Sequence, residues 1–85
     1  MLNSDSFKKS LDEEYSFPCD YNFKFIIKTE FKDKIFNLIP EAKIHEKTSK
    51  NDKYTSVTLT HFVKNSSEIL YIYENASKID GVISL

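Results

Sequence analysis

An α+β fold, one four-stranded antiparallel sheet with two helices on one face, follows from three features of the sequence. Hydrophobic residues alternate from Tyr21 to Thr29, recur at helical spacing from Phe31 to Ile39, alternate twice more, and return to helical spacing from Ser66 to Ile79. Gly81, the single glycine, then separates the last helical segment from a short apolar end. The chain of 85 residues fits one domain, and seven Phe and five Tyr supply the large side chains that a small core needs.

Residues 1–16 mix Ser, Asp, Glu and Lys with Leu2, Phe7 and Leu11. That composition predicts a flexible N-terminal tail, with a helix that forms on a partner as the alternative, because the three apolar residues sit near helical spacing. The domain proper is expected over residues 17–85. Phe17 and Pro18 mark its entry, since proline drives the preceding residue toward extended geometry.

In the first strand Tyr21, Phe23, Phe25 and Ile27 share one face, and Asn22, Lys24, Ile26 and Lys28 share the other. The aromatic face is the expected core. A short helix from about Phe31 carries Phe31, Ile35, Leu38 and Ile39 on one stripe, and Pro40 ends it by removing a donor and crowding the preceding turn. Strands at about 42–49 and 54–63 are joined by Lys50-Asn51-Asp52-Lys53, whose Asn and Asp tolerate turn geometry. Asn65 or Ser66 caps the second helix, with Glu68 at capping-box spacing from Asn65. Ile69, Ile72, Tyr73, Ala76 and Ile79 form its buried stripe. Gly81 is expected to carry the chain out of that helix through a left-handed residue, into a last strand over 82–85. Two crossovers of the right-handed kind put strands one and three at the centre of a ferredoxin-like βαββαβ sheet.

Phe17-Pro18 before the first strand, Thr48-Ser49-Lys50 before Tyr54, Ser56-Val57 in the third strand and Lys78-Ile79-Asp80 before the last strand resemble the small bacterial YbeD-like family, whose function is unknown. The resemblance covers about residues 17–85. It implies a ferredoxin-like fold similar to regulatory ACT domains, a regulatory or interaction role, and no catalytic residues to carry over. The chain departs from the family pattern in its short first helix and an extra residue or so in the hairpin turn.

Composition removes several kinds of chemistry. The sequence has no Arg, so the guanidinium fork that an acylphosphatase-like loop needs for phosphate is missing. One glycine cannot build a Walker loop or a dinucleotide fingerprint. The lone Cys19 forms no intrachain disulfide, and its expected role is that of a small apolar residue at the start of the first strand. His45 and His61 fall out of register across the hairpin, so no shared metal site is expected. The chain is expected to be non-catalytic, without cofactors, and cytoplasmic, for it shows neither an apolar leader nor a membrane-spanning run.

What remains is surface. Strand parity places Lys24 and Lys28 beside Ser56, Thr58 and Thr60, with Lys43, His45 and Lys47 on the neighbouring strand. This gives a basic patch under a net charge of -1. The hairpin tip adds Lys50, Lys53 and Tyr54, which suit contact with a protein partner. Nucleic-acid binding is an alternative use of the same lysines, although the outward centres of strands one and three are Lys24, Ile26 and Thr58 instead of stacking aromatics. Small-molecule sensing of the ACT kind is a further alternative, set against a glycine-free loop at residues 28–32. The protein is expected to be a monomer or a weak homodimer.

Overall fold

The computed structural model describes residues 4–85, in the order α1 (Ser4–Glu14), β1 (Cys19–Lys28), a 3₁₀ turn (Thr29–Phe31), α2 (Lys32–Phe36), β2 (Lys43–Thr48), β3 (Tyr54–Val63), α3 (Ser66–Ala76) and β4 (Ile83–Ser84). The strands form one antiparallel sheet in the order β2-β3-β1-β4, with the first and third strands central as expected. β1 and β3 pair along their whole length, from Cys19 opposite Val63 to Lys28 opposite Tyr54. β4 meets β1 only at Phe25 and Ile26, and the Leu85 N–H extends the pairing by donating to the Lys24 carbonyl at 2.9 Å.

The period-two pattern sorts these strands cleanly. Phe23, Phe25 and Ile27 of β1 and Val57, Leu59 and Val63 of β3 are buried under the helices with Ile35, Ile69, Ile72 and Ala76. Thr55 shares that buried row. Its hydroxyl is satisfied by Thr29 Oγ1 at 2.9 Å and Thr48 Oγ1 at 3.2 Å, so burying it leaves no polar atom stranded.

Three sequence expectations change. Within the segment over 1–16, the described residues Ser4–Glu14 form a helix, α1, that packs on α3, with Leu11 buried to 3% exposure and Phe7 edge-on to Tyr73 at 5.8 Å. Phe7 and Leu11, four residues apart, lie on one side of that helix, which therefore docks within the chain; Leu2 lies outside the described residues. The influence of the nearby Ser66 hydroxyl, and of Lys8, whose Nζ lies 3.1 Å from Asp12 Oδ2, holds the Asp12 carboxyl below its ordinary value.

α2 is shorter than the pattern suggests and ends at Phe36, where the Leu38 N–H turns to the Ile35 carbonyl at 3.0 Å. A proline at 40 would press its ring on the carbonyl four residues back and disfavours helix at Ile39, so the last turn tightens before reaching it. At the other end of α2, Phe31 sits in the 3₁₀ turn, exposed, with Lys34 Nζ at 4.9 Å from its ring centre, and is not part of the buried stripe.

Gly81 does adopt a positive φ of 76°, but not as a helix cap. α3 ends at Ala76, and the Val82 N–H donates to the Ile79 carbonyl across a separate turn whose third position is Gly81. Positive φ there is the type II requirement that glycine meets without strain. At the other end of α3, Asn65 is the cap: its side chain accepts from the Glu68 N–H at 3.1 Å, while Glu68 Oε2 accepts from the Lys64 N–H at 2.8 Å.

If α1 is a structural element, Leu11→Ala should lower the unfolding free energy in urea by about 2–5 kcal/mol, the usual range for a buried leucine, against under about 0.5 kcal/mol for a free tail. Asp12→Ala tests the Ser66 contact by pH. A carboxylate with a lowered folded pKa contributes stability above about 3.8, and that contribution is lost as the pH falls through the folded value. The variant should therefore melt earlier than the parent at pH 7, and the two should converge as the pH falls below that folded value.

Candidate interaction surface

The outward sheet face is organised in rows. Lys47, Ser56, Ile26 and Ile83 lie side by side across all four strands, followed by His45, Thr58 and Lys24, and then by Lys43, Thr60 and Asn22. Lys24, Lys28, Lys43 and Lys47 therefore share this face, and each is exposed. Among the described residues none of the four is paired with a carboxylate; the ion pairs are Lys8 with Asp12 and Lys32 with Glu46, and His61 Nε2 lies 4.0 Å from Glu41 Oε1. The hydroxyls of the middle strand lie between the lysine columns, with Thr60 Oγ1 donating to Asn22 Oδ1 at 2.7 Å.

The hairpin tip is built, not floppy. The Ser49 N–H donates to the Tyr54 carbonyl at 2.8 Å, and the Tyr54 N–H returns to Ser49 Oγ at 3.1 Å. Asn51 Oδ1 accepts from the Ser49 hydroxyl at 2.9 Å and from the Lys53 N–H at 3.2 Å. Asp52 occupies the left-handed region at φ 58°, which Asp tolerates better than most side chains. The tip is moored to the end of β1 by the Thr29 N–H, which donates to the Lys53 carbonyl at 3.0 Å.

Lys53 Nζ stands 5.7 Å from the Tyr54 ring centre, a cation–π distance, and Tyr54 lies directly opposite Lys28. Tip and basic face thus form one surface, joined at the Lys28–Tyr54 pair. Lys50 stands at the exposed far end of the same turn.

At this junction Lys28, Phe31, Tyr54, Asp80, Gly81 and Ile83 line a cleft of about 300 Å³. The sequence reading missed it, because Asp80 to Ile83 reach Lys28 only through the β1–β4 pairing. Exposed apolar side chains also escaped notice: Phe62 is 59% and Ile83 53% exposed on the outward face. Their parity was readable from the strand pattern.

His45 and His61 are brought to opposite faces, His45 opposite Thr58 and His61 opposite Tyr21 on the helix side. Among the described residues no group of three or more His, Cys, Asp or Glu could hold a metal ion. Cys19 is half-buried at the start of β1. No helix is long and apolar enough to cross a membrane among the described residues.

Order, register and core define a small ferredoxin-like α+β domain with a basic outward face. A family model described as a protein of unknown function, DUF493, matches residues 12–85, and the chain belongs to that family, the YbeD-like family its motifs resemble. The match begins within α1. The solution structure of protein HP0495 from H. pylori is similar, at 28% sequence identity and a TM-score of 0.73, covering 100% of this chain and 96% of that one. Comparison with curated proteins gives no match.

Asn51→Ala should loosen the tip alone. Amide exchange at Lys53 and Tyr54 is expected to accelerate at least tenfold, while the urea unfolding free energy changes by no more than about 1 kcal/mol, the worth of an exposed hydrogen bond.

Proposed function

We propose that this domain is a non-catalytic regulatory or adaptor module that binds an acidic segment of a protein partner across its outward sheet face, with the hairpin tip at one end of the contact. The observation that carries this reading is the set of four exposed lysines, Lys24, Lys28, Lys43 and Lys47, on one face and without carboxylate partners among the described residues. Lysine ammonium groups are flexible point charges that accept carboxylates in many geometries.

Magnitudes limit what charge alone achieves here. An exposed ion pair contributes about 0.2–1 kcal/mol, so four lysines together supply roughly 1–4 kcal/mol. Selectivity then rests on the apolar and aromatic groups at the margin, Tyr54, Phe62 and Ile83. Lys50 and Lys53 add charge at the tip. The same lysines would attract nucleic acid, but Lys24, Ile26 and Thr58 at the strand centres offer no ring for a base to stack on. ACT-like sensing of a small ligand draws less support, because the turn after β1 has no glycine to admit a ligand close to the backbone.

The test is fluorescence anisotropy with a twelve-residue glutamate peptide and a twelve-nucleotide single-stranded RNA as probes. The parent should bind the peptide in a salt-dependent manner and more tightly than the RNA. The quadruple variant Lys24→Glu, Lys28→Glu, Lys43→Glu, Lys47→Glu should lose at least tenfold in affinity and keep its melting temperature within about 5 °C, as expected of surface substitutions. Equal peptide binding by parent and variant would contradict the proposal, and tighter RNA binding would replace it with the nucleic-acid reading.

A further inference from the structure

β1 is ten residues long, whereas β4 is two, and the mismatch leaves a stretch of sheet edge open. The Leu85 N–H donates to the Lys24 carbonyl, so the backbone groups of Lys24 point toward the β4 side. Alternation by two turns those of Asn22 and Asp20 the same way. Among the described residues no strand lies beside them on that side. The open stretch, Asp20 to Phe23, is about 13 Å long at strand rise.

Next to this edge is a groove of about 410 Å³ lined by Phe7, Tyr21, Tyr73, Ser77, Ser84 and Leu85. Among the described residues its lining carries no charged side chain. Phe7 of α1 and Tyr73 of α3 form its walls, and Tyr21 of β1 turns its ring to the same side. A strand added along Asp20 to Phe23 would direct every second side chain into the groove and the others to the outward face.

We propose that this edge and groove accept a short extended peptide by strand addition, with apolar or aromatic residues at alternate positions and a basic residue between them. Two observations select that occupant over a second copy of the chain. First, of the two outward residues in that stretch Asn22 is neutral and Asp20 is an exposed carboxylate with no ion pair among the described residues, which favours a cation opposite it. Second, about four residues of edge and one groove fall well short of the roughly 800 Å² per partner that a stable protein pair buries. A peptide is satisfied with less, because backbone hydrogen bonds and one anchored side chain carry the contact. This site lies along the free edge of β1, with its groove on the helix-layer side, and its ligand has the opposite charge to the one proposed for the basic face.

The test uses a blocked hexapeptide alternating lysine with phenylalanine, added to ¹⁵N-labelled protein. Saturable shifts and slowed exchange at the Asp20 and Asn22 amides are expected, with the amides of β2 unmoved. A peptide N-methylated at alternate backbone positions, which keeps its side chains and loses its edge hydrogen bonds, should bind at least tenfold more weakly. Ser77→Trp, an exposed position at the groove rim, should also weaken binding at least tenfold, with Ser77→Ala retaining it. Absence of saturable shifts at Asp20 and Asn22, equal binding of the N-methylated peptide, or concentration-dependent pairing of two chains through this edge would each overturn the proposal.

Discussion

The contacts around Tyr73 hold α1, α3 and the sheet of this protein in one arrangement. From α3 its ring meets Phe7 of α1 at 5.8 Å, and Tyr21, Phe23 and Phe25 of β1 at 6.4, 5.4 and 5.9 Å. Ring contacts of this kind add about 0.5–1.5 kcal/mol each beyond the area they bury. The Tyr73 hydroxyl keeps a partner in Tyr21, at 3.3 Å, and burial together with that hydrogen bond pushes the phenol well above its ordinary range. A polar tip is thereby carried into an aromatic cluster at little cost.

Committing Tyr21, Phe23 and Phe25 to that cluster fixes the parity of β1, and pairing fixes the parity of its neighbours. Asn22, Lys24, Ile26 and Lys28 must then face away from the helices, and Ser56, Thr58, Thr60, Lys43, His45 and Lys47 follow by register. The basic face is therefore a consequence of where the aromatic residues go. A slip of one residue would bury the lysines and expose the phenylalanines, which is why the register is so strongly specified.

Most of the sheet was legible because alternation in β1 and β3 is nearly uninterrupted, and because the Asn51-Asp52 turn divides β2 from β3. The capping spacing of Asn65 and Glu68 located the start of α3. Harder to read were features whose cause lies far along the chain. α1 looks like a polar tail until Ser66 and Tyr73 supply its docking surface, more than fifty residues away. Phe31 fits a helical stripe by spacing, yet the approach to Pro40 shortens that helix and a 3₁₀ turn rotates Phe31 outward. Gly81 signalled a positive φ correctly, but one glycine cannot tell a helix end from a turn four residues later. The lysines of the face and the residues of the tip were each found in the sequence; their union at Lys28 and Tyr54 needed the register.

The division of labour between a committed aromatic face and an available basic face is open to direct observation. Amide chemical shifts of ¹⁵N-labelled protein, followed while the glutamate peptide is added, report which face responds. If the outward face is the contact surface, the shifts should concentrate on β1, β2, β3 and the Ser49–Tyr54 tip, with α1 and α3 nearly silent. Shifts confined to α1 and α3, or spread evenly over both layers, would contradict that central claim.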